Sequence, residues 1–170
     1  MSAPLLSLRN LQVSFRTPNG LVQAVRGVDL DVHPGEMVGV VGESGSGKSV
    51  TFLGMLGLLP GTAHMTGSAT VNGIEMVNAS NKTMRSIRGR QVAMIFQDPL
   101  SALNPVYRIG DQIVEMIQVH QSISKAAAYA HAVDLLGIVG IPQPATRAKQ
   151  YPHEFSGGMR QRAMIAMALA

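Results

Sequence analysis

Gly42-Glu43-Ser44-Gly45-Ser46-Gly47-Lys48-Ser49 constrains this chain more than any other stretch. Before it stands Met37-Val38-Gly39-Val40-Val41, a short apolar run of the kind a buried parallel strand needs. After it, Val50 to Leu59 is mostly apolar, free of proline, and reads as a helix. Strand, glycine-rich turn and helix, with G-x-x-x-x-G-K-[ST] in the turn, are the context of a P-loop. Successive backbone N–H groups must curl around a phosphate there, in conformations that side chains forbid. The helix that follows offers its unpaired amides and positive dipole end to the same anion. Lys48 is expected to reach the outer phosphates, and the Ser49 hydroxyl to be a ligand for Mg²⁺. The stretch reads as a nucleoside-triphosphate site.

Composition supports a globular chain. Of 170 residues, 46% are apolar and 14% charged, which excludes a disordered segment. Uninterrupted apolar stretches fall well short of the ~20 residues that span a bilayer. Met1 to Asn10 has neither the basic start nor the long apolar run of a signal peptide. The absence of cysteine excludes disulfides and thiolate metal sites, which fits a reducing compartment. Histidines at 33, 64, 120, 131 and 153 show no ligand-like spacing. Lys82, Arg85, Arg88 and Arg90 form a dense basic run, and Arg147 to Arg162 a looser one. With aromatics at 4% there is little to stack on bases, so these read as solvated helix faces and no nucleic-acid partner is expected.

In chain order, Leu6, Leu8, Leu11, Val13 and Phe15 alternate roughly, as in a half-buried strand. Thr17-Pro18-Asn19-Gly20 is a turn, and the chain resumes as strand to Val32. An antiparallel layer is therefore expected before the nucleotide core. Thr66 to Val71 reads as another strand closed by Asn72-Gly73, and Ser80 to Arg88 as a basic helix. Gln91-Val92-Ala93-Met94-Ile95-Phe96 is expected to be a second buried strand. Gln97 at its C-terminal end would then face the same phosphates and metal as Lys48, since ligands in α/β sheets sit beyond the carboxyl ends of strands. After the loop Ser101-Ala102-Leu103-Asn104-Pro105, Ile109, Ile113, Met116, Ile117 and His120 follow helical spacing. Ser124 can cap a further helix to about Leu136. Met116, Met159, Met164 and Met167 read as core filler. Ser156-Gly157-Gly158 opens a last helix and is a second possible anion site.

In this order and spacing the pieces resemble the nucleotide-binding subunit of ABC transporters. Phe15 is similar to the adenine-stacking aromatic of the family's A-loop, and Gly42 to Ser49 to its Walker A motif. Gln97 resembles the Q-loop glutamine. Ser156-Gly157-Gly158-Met159 resembles the signature motif, usually written Leu-Ser-Gly-Gly-Gln. The runs around the P-loop, from Phe96 to Pro105 and from Phe155 to Arg162, look most like the di-/oligopeptide and nickel importer branch. The resemblance implies an α/β fold with a RecA-like P-loop core. Its parts would be an antiparallel β subdomain (1–36), the P-loop core (37–98), an inserted helical subdomain (99–155) and the signature helix (156–170). Two departures are mild: Phe155 and Met159 flank the Ser-Gly-Gly, and Val50 stands where threonine often follows the Walker serine. The third is larger. Past Ala170 the family continues with a strand ending in a Mg²⁺-binding aspartate, a catalytic glutamate, the D-loop and a switch histidine. None has a counterpart in this chain, so the C-terminal part of the core is expected to be missing and the chain to be an N-terminal fragment.

The resemblance also implies function. ATP and Mg²⁺ are the expected cofactors, with Phe15, Gly42, Glu43, Ser44, Gly45, Ser46, Gly47, Lys48, Ser49 and Val50 on one nucleotide. Ser156, Gly157 and Gly158 would close on the γ-phosphate held by a second ABC ATPase subunit. Lys48 and Gln97 are the catalytic candidates, and Ser49 and Gln97 the Mg²⁺ ligands. Integral-membrane permease subunits are implied partners, with a solute-binding protein acting indirectly, and the expected location is the cytoplasmic face of the cell membrane. The implied role is to couple ATP binding and hydrolysis to uptake of peptides or a similar small solute. The alternatives are a non-catalytic truncated remnant and a soluble non-transport ABC ATPase. A P-loop kinase or GTPase has no use for Gln97 together with Ser156-Gly157-Gly158.

Overall fold

The computed structural model describes residues 3–98 and 102–170. The chain forms two compact units, Met1–Gln91 and Val92–Ala170.

The first unit is built on a four-stranded antiparallel sheet of order β2-β1-β3-β4. Strand β1 spans Leu6–Thr17, β2 Gly20–Val32, β3 Ala63–Val71 and β4 Ile74–Glu75. Thr17-Pro18-Asn19-Gly20 makes the β1–β2 hairpin, with the Thr17 hydroxyl donating to the Gly20 carbonyl at 2.8 Å. Leu8, Leu11 and Val13 are fully buried although 8 and 11 are out of step for a regular strand. A bulge reconciles them. The register shifts between Leu8 and Leu11 against β2, and between Arg9 and Gln12 against β3, where Asn10 takes φ 44°. The extra residue returns the apolar side chains to one face. Gly67 of β3 lies against this bulge, where any Cβ would stand 2.3 Å from the Asn10 carbonyl oxygen.

Glu75 fastens β4 back onto β3. Its carboxylate accepts from the Ser68 hydroxyl, from Ala69 N–H at 3.0 Å and from Val77 N–H at 2.9 Å. Partial burial pushes this carboxyl up, and those hydrogen bonds outweigh it, so the group sits below the usual glutamate range. Helix α1, Lys48–Met55, follows the glycine-rich turn, and α2, Asn81–Ile87, starts at Ser80, whose hydroxyl accepts from Thr83 N–H at 3.2 Å.

The two apolar runs expected as buried parallel strands are not strands. Residues 37–41 carry no ladder, and Met37 and Val41 are 96% and 93% exposed. Residues 91–96 hold a single bridge at Val92, with Ile95 47% and Phe96 39% exposed. A parallel strand exists only where neighbours take its N–H and C=O groups. Among the described residues no strand lies parallel to either run.

The second unit is helical. Helix α3 spans Ile109–His120, α4 Lys125–Ile138, α5 Pro144–Arg147 and α6 Gly157–Leu169, with a 3₁₀ turn at Pro152–Glu154. Ile109, Ile113 and Ile117 recur every fourth residue and are fully buried, as their spacing requires. They share a core with Ala128, Ala132 and Leu136 of α4 and with Ala163 and Ala166 of α6, whose small side chains admit close helix approach. Each fully buried isoleucine contributes at most about 1.5–3 kcal/mol of transfer free energy. Ser124 caps α4, its hydroxyl accepting from Ala127 N–H at 3.2 Å. Of the methionines expected as filler, Met164 is buried, Met159 and Met167 pack on the core, and Met116 is half-buried. Buried Gln112 secures the preceding loop by accepting from Asn104 N–H at 2.9 Å and donating to the Asn104 and Tyr107 carbonyls, each at 3.0 Å. Of the loop expected at 101–105, Ser101 lies outside the described residues, as do Pro99 and Leu100 before it.

Candidate functional site

Gly47 is the N-cap of α1, buried, at φ 92° and ψ −2°. It sits so close to β2 that a Cβ would stand 2.5 Å from the Ala24 carbonyl oxygen and 3.3 Å from Val25 Cγ2. Only glycine meets both demands, the left-handed conformation and the contact. The hairpin thus supplies the seat on which the loop rests, a pairing of residues 24 and 47 that no local pattern announces. Beside this seat a cleft of about 620 Å³ opens between β2 and the loop, lined by Val25, Val28, Val40, Ser46 and Lys48 among others.

The loop closes on itself through Ser46 N–H, which donates to the Glu43 carbonyl at 3.2 Å. Lys48 Nζ donates to the carbonyls of Gly42 at 2.7 Å and Glu43 at 2.6 Å, and to Ser46 Oγ at 3.2 Å. Thr51, the buried residue one turn into α1, returns its N–H to the Gly47 carbonyl at 2.9 Å and its hydroxyl at 3.0 Å. Among the described residues no carbonyl accepts from the amides of Gly45, Gly47, Lys48 or Ser49. These amides, a cation on the same loop and an exposed Ser49 hydroxyl make a donor set suited to a polyphosphate. The lysine would exchange its carbonyl partners for phosphate oxygens. No group of three or more His, Asp or Glu side chains is gathered to hold a metal among the described residues. A divalent cation there would depend on phosphate oxygens and Ser49.

Phe15, half-buried on β1 opposite Val22 and Ala63, is not among the residues lining the cleft. Gln97 is exposed, in irregular backbone of the second unit. Ser156, Gly157 and Gly158 also belong to the second unit and are exposed at the start of α6. Ser156 caps its own helix, its hydroxyl oxygen accepting from Met159 N–H at 3.3 Å. A hydroxyl keeps one donor proton in that role, free for an incoming oxygen. Phe155, just before, is 1% exposed within the helical core, so the position needs a large apolar side chain and phenylalanine supplies one. A Cβ on Gly157 or Gly158 would meet nothing within 4 Å.

The ABC transporter family model matches residues 25–170. Oligopeptide transport ATP-binding protein OppD of Haemophilus influenzae is 48% identical over 98% of this chain and 51% of its own length. Dipeptide transport ATP-binding protein DppD of Bacillus subtilis is 52% identical over 97% of this chain and 50% of its own length. The chain thus spans about half the length of the curated relatives it matches. The ATP-binding cassette MJ0796, solved as a dimer in a post-hydrolysis state bound to ADP and Pi, superposes with a TM-score of 0.83 at 24% identity. That match covers 97% of this chain and 69% of the solved one, and shares its fold. With the glycine-rich loop, the antiparallel sheet and the helical unit carrying Ser-Gly-Gly in place, the chain belongs to the ABC transporter family.

Proposed function

We propose that this chain is the nucleotide-binding part of an ABC importer subunit that couples ATP binding and hydrolysis to uptake of peptides or a similar small solute. The observation that carries the reading is the loop from Gly42 to Ser49, with unpaired amides and the Lys48 ammonium at one end of α1. The loop amides and Lys48 hold the β- and γ-phosphates, Val50 offers a backbone N–H, and Ser49 and Gln97 bind Mg²⁺. The metal, when bound, neutralises charge on the transferring phosphoryl group. Phe15 lies against adenine. Ser156, Gly157 and Gly158 close on the triphosphate held by a second, homologous subunit, and bare glycines there let the partner's phosphates approach the backbone. Orienting the attacking water takes a carboxylate, and neither Glu43 nor Asp98 is assigned that role. Permease subunits receive the motion at the cytoplasmic face of the membrane, and a solute-binding protein selects the cargo. The names of the relatives, oligopeptide and dipeptide transport ATP-binding proteins, support peptides as that cargo. No helix among the described residues is long and apolar enough to cross a membrane.

Calorimetric titration of the chain with MgATP tests the core of this reading. Lys48→Ala removes a charge-assisted contact and is expected to weaken ATP by roughly 10- to 100-fold. Unchanged affinity would remove the loop from the site.

A further inference from the structure

Four basic residues cluster at 82, 85, 88 and 90, and the sequence presents them alike. In the structure Lys82, Arg85 and Arg90 are exposed, whereas Arg88 is half-buried against the far end of α1. That end is closed by a paired turn. Leu58 N–H donates to the Leu53 carbonyl and Gly57 N–H to the Gly54 carbonyl, each at 2.8 Å, with Gly57 at φ 60°. Such a turn leaves the next carbonyls without intrahelical partners. Arg88 takes two of them: Nε donates to the Leu56 carbonyl at 2.6 Å and Nη2 to the Gly57 carbonyl at 2.9 Å. Its own N–H closes α2 on the Met84 carbonyl at 3.0 Å. Gly57 leaves room for the guanidinium, since a Cβ there would stand 2.8 Å from Nη2.

We propose that Arg88 is a positioning residue for the phosphate loop, gripping the C-terminal end of α1 and cancelling its negative charge. Helix α1 has only eight residues, a length of about 12 Å. Its ends carry roughly +0.5 and −0.5 of a charge, so over this distance the negative end opposes an anion bound at the loop. A guanidinium on the two carbonyls just past the helix removes much of that opposition. It also ties α1 to the end of α2, so that Lys48 and the loop amides start from a fixed helix. The planar fork suits two adjacent carbonyls, which a single ammonium cannot span in the same way. The inference rests on reading Gly42 to Ser49 as a triphosphate loop.

The test is calorimetric titration of the whole chain with ATP and, separately, with inorganic tripolyphosphate, well below the melting midpoint. Arg88→Ala is expected to weaken both by about three- to tenfold. Arg88→Lys should recover part of the loss, while Arg85→Ala and Arg90→Ala, which remove the same charge from solvent, leave both affinities unchanged. A merely structural cap would lower the melting midpoint and leave the affinity of the folded chain intact, and that result overturns the proposal. An equal loss in Arg85→Ala overturns it too, because the effect would then be general charge. If circular dichroism shows Arg88→Ala unfolded, Arg88→Lys decides: weaker binding with an intact spectrum supports the proposal, and wild-type affinity rejects it. A wild-type chain that binds neither ligand sinks the triphosphate reading itself, whereas normal binding in every Arg88 variant sinks only the role of Arg88.

Discussion

Gly42 to Ser49 and Ser156 to Gly158 are both glycine-bearing turns that open a helix, yet the chain uses glycine differently in them. In the first, Gly47 is locked by its own fold: buried, left-handed, and with a Cβ position only 2.5 Å from the Ala24 carbonyl oxygen. In the second, Gly157 and Gly158 face open space and have ordinary dihedrals. Nothing in the packing of the described residues accounts for glycine there. A position kept bare by its own architecture speaks of folding. The first turn is fixed by the strand beneath it, whereas the second is open at both glycines.

Alanine substitution is the most direct way to break this contrast. Gly47→Ala should cost about 3 kcal/mol or more, from backbone strain together with the clash on the Ala24 carbonyl, read by urea denaturation. Gly157→Ala and Gly158→Ala should be neutral or stabilising by up to about 1 kcal/mol, since alanine is the better helix former. Comparable losses at all three positions would erase the distinction.

A smaller effect is expected at Ser156. Removing its cap in Ser156→Ala should lower the stability of the helical unit by about 1 kcal/mol, seen as faster hydrogen exchange in the first turn of α6. Exchange in α1 should stay unchanged, because that helix begins on Gly47 with no side-chain cap.

The smallest effect is acid sensitivity in the sheet that seats the P-loop. Because the Glu75 carboxyl lies below its ordinary value of 4.5, its contribution is fully present above that value and is lost as pH falls through the lower folded one. Glu75→Gln should flatten that part of the stability-versus-pH curve below about pH 4.5. An unaltered slope would mean that the bonds from Ser68, Ala69 and Val77 add no net stability.

Wherever cause and effect lie within a turn or two of chain, the sequence was enough. The glycine-rich turn before α1, the Thr17–Gly20 hairpin, the cap at Ser124 and the four-residue spacing of Ile109, Ile113 and Ile117 all follow from neighbouring residues. The irregular spacing of Leu8 and Leu11 was equally visible, but its meaning, a bulge at Asn10 facing Gly67, needed the adjoining strand. Arg88 was visible only as one cation among four. Its partners stand 31 and 32 residues earlier, and no periodicity links such positions.

The sequence by itself determined the glycine-rich turn that opens α1 and the main helical segments, since backbone conformation and amphipathic spacing are local properties. Only the tertiary structure decided that Gly47 must be glycine because β2 lies against it, and that Arg88 belongs to the end of α1. It also decided that the apolar runs at 37–41 and 91–96 are not strands among the described residues. The physical reason is common to all three. A helix satisfies its hydrogen bonds within its own segment, whereas a strand, a seat and a clamp exist only through partners distant in sequence.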